Sequence, residues 1–129
     1  MIVDTSALIA ILQQEPEAAR FSRALAQDAC EISAANWLEA STIMFVRKGW
    51  EGTRDLDLVI AKYHIAITEV TPDHAETARR AFMKYGKGVH PARLNFGDCF
   101  AYALAKDTGE PLLFKGEDFS RTDVAAAAY

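Results

Sequence analysis

Met1-Ile2-Val3-Asp4-Thr5-Ser6-Ala7-Leu8 opens the chain, and its reading decides the fold. Three apolar residues, two of them β-branched, predict a short buried strand over Met1–Val3. A helix is predicted directly after it, from about Ser6 to Gln13. An acid therefore stands in the turn where a strand feeds a helix. Working outward, the same alternation recurs. Glu17–Asp28 has helical spacing, with Phe21 and Leu25 on one face. Ala29–Ser33 reads as a strand, and Ala34–Lys48 as a long helix ended by Gly49. Thr53–His64 is helical, Ile65–Thr71 alternates like a strand, and Pro72 opens a helix to about Tyr85. After the Gly- and Pro-punctuated loop Gly86–Leu94 come a helix, Asn95–Thr108, closed by Gly109, and a strand, Pro111–Lys115. The tail Thr122–Ala128 is assigned a last edge strand, although its alanines suit a helix better. Strands alternating with helices imply a mostly parallel sheet covered on both faces, a three-layer α/β/α architecture.

The 129 residues suit one domain, 1–129. A chain of this length buries roughly two-thirds of its unfolded surface, enough for a core without staples. Half the residues are hydrophobic and a quarter charged, which excludes a disordered chain. Cys30 and Cys99 form no CxxC pair and read as buried free thiols, as in a reducing compartment. The opening lacks the basic and apolar stretches of a signal peptide, and no membrane span is present, so a cytoplasmic protein is expected. The net charge of −4 does not suggest a nucleic-acid binder. Its distribution says more, because Thr77–Gly97 carries Arg79, Arg80, Lys84, Lys87 and Arg93 and no acid. Such a run either holds phosphates locally or is a solvated helix face.

Four acids occupy places where burial or a helix start is expected. Asp4 follows the first strand, where ligands of open α/β sheets gather, although it also suits a helix N-cap. Glu39 has Ala35, Ile43 and Val46 at helical spacing, an apolar stripe on which a lone carboxylate is costly unless paired or coordinated. Asp98 shares a stripe with Leu94, Ala101, Tyr102 and Ala105, and competes with a simpler role as the third residue of a capping box with Asn95. Asp118 lies past the strand Leu112–Phe114, in a Gly-Glu-Asp turn that is ordinary by itself.

Carboxylates gathered in one place raise each other's pKa values unless a cation neutralises them. An all-oxygen set favours Mg²⁺ or Mn²⁺ over Zn²⁺, and His64, His74 and His90 show no metal-ligand spacing. Mg²⁺ held by a few carboxylates is a common arrangement for phosphate-ester chemistry. Asp4 and Asp98 are the expected direct ligands, with Glu39 and Asp118 completing the site.

Four segments together resemble the VapC toxins of the PIN-domain family. They are Met1–Leu8, the helix Ser33-Ala-Ala-Asn-Trp-Leu-Glu39-Ala-Ser, the block Leu94-Asn-Phe-Gly-Asp98-Cys-Phe-Ala-Tyr-Ala-Leu-Ala, and Leu112-Leu-Phe-Lys-Gly-Glu-Asp118-Phe. The resemblance implies a parallel sheet in the order 3-2-1-4-5. It also implies a Mg²⁺- or Mn²⁺-dependent endoribonuclease that acts on RNA, is inhibited by a cognate VapB-type antitoxin, and is usually a homodimer. Carried over position by position, Asp4, Glu39, Asp98 and Asp118 match the family's acidic quartet, Ser6 the hydroxyl beside it, and Asn95 a nearby polar residue. Where many PIN domains place an acid this chain has Gly116, so the fourth position falls on Glu117 or Asp118. The Gly-acid-Asp-Phe form assigns it to Asp118.

A haloacid-dehalogenase-type phosphatase would need a second Asp two residues after Asp4, where Ser6 stands. A flap-endonuclease-like enzyme would need added helical elements that this length lacks. The alternative from another class is a non-catalytic RNA-binding PIN-like module. It would use the basic run but leave Glu39 and Asp98 unexplained.

Overall fold

A computed structural model describes residues 1–129. Its sheet has four parallel strands: β1 (Ile2–Val3), β2 (Glu31–Ser33), β3 (Ala66–Thr68) and β4 (Leu112–Leu113), in the order β3-β2-β1-β4. Five helices join and cover them: α1 (Thr5–Leu12), α2 (Ala18–Gln27), α3 (Ala34–Lys62), α4 (Pro72–Tyr85) and α5 (Phe96–Thr108), with a short 3₁₀ turn over Phe119–Arg121. Beyond β4 the tail adds a fifth position. Leu112 N donates to Ala125 O and Ala127 N to Leu112 O, both at 2.8 Å, around a parallel bridge at Ala126. Of the order 3-2-1-4-5 implied by the resemblance the first four strands are present, and the edge strand expected over Thr122–Ala128 is reduced to a single bridge. Alanines with no branched or aromatic side chains give a strand little to pack with.

Two cores lie on opposite faces of the sheet because side chains alternate along a strand. Val3 and Leu113 face the core under α1, α2 and α3, with Leu8, Phe21, Leu25, Met44 and Leu56. Ile2 and Leu112 face the other way, against Ala78, Leu94, Ala101 and Leu104 of the α4–α5 layer. Burying each such aliphatic side chain stabilises the fold by roughly 1.5–3 kcal/mol. The α/β/α reading therefore holds, and both cysteines are buried and free.

Three boundaries differ from the expectations. The two helices predicted over Ala34–Lys48 and Thr53–His64 are one run, α3, broken at Gly49, whose backbone leaves the helical region (φ 60, ψ −144). A glycine alone reaches that conformation without steric cost, and it turns the helix without ending it. β3 is shorter than Ile65–Thr71 and lies at the edge, with Ala66 and Ile67 exposed. Val46 is 84% exposed, so the stripe expected to hold Glu39 is displaced. The buried face of α3 runs through Asn36, Ala40 and Met44, and Glu39 sits at its border.

Candidate active site

The order in which strands are added reverses at β1, which pairs with β2 on one side and β4 on the other. Chains leaving these strands diverge there, and a crevice opens beyond their carboxyl ends. Asp4 sits at that point. Its backbone N–H donates to Leu113 O at 2.9 Å, extending the ladder, and its Oδ2 accepts from Ser6 N at 2.9 Å, capping α1. The N-cap and site readings thus coexist in one residue. Its other oxygen, Oδ1, is buried without a hydrogen-bond partner.

The remaining acids converge on the same crevice. Asp98 completes the capping box of α5: its Oδ2 accepts from Asn95 N at 3.0 Å, and its N–H donates to Asn95 Oδ1 at 2.8 Å. Its stripe partners Leu94, Ala101, Tyr102 and Ala105 are all buried. Glu39 arrives from α3, its Oε1 accepting from Thr5 Oγ1 at 2.5 Å. Asp118 comes from the turn after β4. That turn is tied to α1 by the Lys115 N–H, which donates to Ser6 Oγ at 2.9 Å. Asp4, Glu39, Asp98 and Asp118 together line one cleft of about 450 Å³, with Thr5, Ser6, Asn95, Glu15 and Lys115. Glu117 is exposed and absent from its wall.

Burial and mutual repulsion make the cleft electrostatically unfavourable when empty of cations. Asp4 is pushed up to about 6, first by loss of hydration and then by the charge of Glu39, against the opposing bond from Ser6. Asp98 is pushed up to about 7, again first by loss of hydration, with Asp4, Asp118 and Glu39 adding to it. The Asn95 N–H works the other way. The lone cation in the wall, Lys115, is already held by Glu15 at 2.7 Å and Glu17 at 3.2 Å.

These features fit a hard divalent cation. The donors are carboxylate and hydroxyl oxygens, no histidine lines the cleft, and the orphaned Asp4 Oδ1 is the kind of atom a cation satisfies. The acids are not gathered into a ready-made set of three ligands. Mg²⁺ needs no such cage, because it takes one or two carboxylates directly and keeps several of its waters.

The basic residues Arg79, Arg80, Lys84, Lys87 and Arg93 are exposed, and none lines the cleft. Arg79 lies 3.8 Å from Glu76, Lys84 sits over the Tyr85 ring, and Arg80 and Lys84 share a shallow hollow with Lys106. Thr5, Asn36, Glu15 and Lys115 were missed by sequence reasoning. Asn36 could have been found, because it stands one helical turn before Glu39 and so shares its face.

A model of the PIN domain matches residues 1–125. Ribonuclease VapC30 of Mycobacterium tuberculosis is 48% identical over 129 residues, covering 99% of this chain and 98% of the relative. Ribonuclease VapC of Mycolicibacterium smegmatis is 50% identical over 127 residues, 98% of each chain. Among solved structures, VapC20 of Mycobacterium tuberculosis, described as a sarcin-ricin loop cleaving toxin, superposes with a TM-score of 0.78. That likeness has 20% identity and covers 98% of this chain and 97% of the other. A toxin–antitoxin complex from Klebsiella pneumoniae gives a TM-score of 0.74 at 20% identity, covering 99% and 97%. At that identity the two structures speak for the fold.

Proposed function

We propose, from the premise that this chain belongs to the PIN-domain family as a VapC-type ribonuclease toxin of a toxin–antitoxin system, that it hydrolyses RNA through Mg²⁺ held by Asp4 and Asp98. The observation that carries this reading is the pair of carboxylates raised to about 6 and about 7 in one crevice, one of them with a buried unpartnered oxygen. Near neutral pH such a pair favours a cation over two bare charges. When bound, a divalent ion supplies charge neutralisation, polarisation of the phosphodiester and a more acidic water; Mn²⁺ would serve equally.

The chain's own groups supply the rest. Asp118 or Glu39 orients the attacking water and accepts its proton. A covalent intermediate has no support. Ser6 Oγ is engaged by the Lys115 N–H and no histidine lines the cleft, while Cys99 is buried with its thiol pushed up to about 11. In-line attack by water expels the 3′ oxygen, leaving a 5′-phosphate and a 3′-hydroxyl. Cleavage of a structured RNA with Mg²⁺ and with EDTA, followed by mapping of both new ends, tests this. Cyclic 2′,3′-phosphate ends, or full activity in EDTA by Asp4→Ala, would overturn it.

The reading extends to residues 1–129 acting as one domain in the cytoplasm, as a homodimer held in check by a VapB-type antitoxin. No helix is long and apolar enough to cross a membrane. Val46 and Trp50 on one helical layer and Met83 and Phe96 on the other are largely exposed, which supports a surface covered by protein partners. Copurification with the product of a neighbouring antitoxin gene, and the mass of the free protein in solution, test the two assemblies separately.

A further inference from the structure

Glu39 is held from three elements at once. From the first turn of α1, Thr5 Oγ1 donates to its Oε1 at 2.5 Å and also lies 3.2 Å from the Asn36 carbonyl. From α3 itself, Asn36 Nδ2 lies 3.3 Å from the same oxygen and donates to the Gly97 carbonyl at 2.9 Å. From α5, Gly97 leaves a gap that the carboxylate fills, and a Cβ there would fall on Glu39 Oε2. Asn36 is 1% exposed and its Oδ1 has no partner. An orphaned buried acceptor is unfavourable, and an apolar residue would pack there without it. The compensation lies in the amide donor, which joins α3 to α5 and reaches Glu39.

We infer that Thr5, Asn36 and Gly97 are positioning residues that fix the Glu39 carboxylate for the cleavage step, an inference that rests on the part given to Glu39 above. A glutamate has three side-chain torsions, and the helix restrains only the first of them. Removing that freedom before substrate arrives is what converts a nearby acid into an oriented one. Thr5 does so by a bond, Gly97 by close approach, and Asn36 by both fastening the helices and donating.

The test is steady-state cleavage of a labelled RNA hairpin with saturating Mg²⁺. Thr5→Val keeps the shape and removes the hydroxyl. It is expected to lower kcat about tenfold with KM within about twofold of wild type, and Thr5→Ser to restore most of the loss. On a Glu39→Gln background Thr5→Val is expected to add nothing, since the two act as a unit. Gly97→Ala is expected to lower kcat similarly and to lower Tm, because the added Cβ displaces the held carboxylate, so kcat is compared well below both melting points. It carries the same test from another element if Thr5→Val does not fold. Wild-type kcat in both variants, beside a strongly impaired but measurable Glu39→Gln, would overturn the inference and leave the nuclease reading intact. So would an equal Thr5→Val loss on the Glu39→Gln background. A fully active Glu39→Gln would instead remove Glu39 from the reaction, and the inference with it.

Discussion

Two hollows of nearly equal size sit on either side of the first turn of α5. One is the carboxylate cleft, about 450 Å³; the other, about 470 Å³, is a groove between α4 and α5 walled by Ala75, Ala78, Phe82, Phe96 and Phe100, with Arg79 its one charged residue. Asn95 and Asp98 face the first, while Phe96, Cys99 and Phe100 face the second. Size does not separate them. What does is the direction in which each would respond to a ligand. The groove is apolar, so any apolar surface laid on it gains from lost hydration, with little chemical selectivity. The cleft holds acids against their preference for water and against each other, and a proton or a metal cation relieves that where an apolar ligand does not. Unfavourable electrostatics, not volume, marks the candidate site.

The strongest way to break this contrast is to remove a charge from the cleft. Asp98→Asn is expected to lose RNA cleavage on the order of 10³-fold and most of its Mg²⁺ affinity, checked by end-labelled cleavage assays and calorimetry. Equal Mg²⁺ binding by the mutant would remove Asp98 from the site.

Next in size is a pH effect on stability. Asp4 and Asp98 hold their protons more tightly in the folded chain than in the unfolded one, so the folded state binds more protons between about pH 4 and pH 7. Metal-free Tm should therefore fall as pH rises through that window and level off above it. Asp123, kept below the usual carboxylate range first by the Tyr102 hydroxyl and then by Lys106, acts in the opposite sense and only below about pH 4. Thermal melts in EDTA should show a shallower slope from pH 4 to pH 7 in Asp98→Asn than in wild type. Saturating Mg²⁺ should reverse the wild-type trend, because the ion competes with those protons.

A smaller effect is expected from the exposed cations. Replacing Lys84, Lys87 and Arg93 by alanine should weaken RNA binding by about tenfold at low salt and flatten its salt dependence, with cleavage of bound RNA unchanged. An unaltered salt slope would make the run a solvated face. The smallest effect should come from the groove. Phe82→Ser is expected to leave Mg²⁺ affinity within about twofold of wild type by calorimetry, since an uncharged change on the far side of α5 adds no field at the acids.

The fold was legible because its strongest signals are local. Residues 1–8 contain both the strand and the helix that follows it, and the capping residues Asn95, Thr71 and Gly109 stand where the periodic stretches begin and end. Gly49 misled because a glycine marks a helix end and a helix kink with the same residue. The acids were legible through the cost of placing charge among apolar neighbours, although Val46 shows that spacing located the Glu39 stripe a residue away from its true border. Thr5 and Gly97 were not, since their meaning depends on three helices meeting. Spacing within one helix says nothing of what another brings against it. The same holds for the basic run, whose placement away from the cleft is set by how α4 packs on α5.

β4 lies between β1 and the tail, and the turn after it is tied back to Ser6. Synthesis runs from Asp4 toward Asp118, so the first acid leaves the ribosome long before its partner strand is made. Until β4 and the turn after it emerge, Asp4 has no neighbour on that side and the cleft lacks its last wall. The cleft thus closes only when the beginning of the chain meets a segment made 109 residues later.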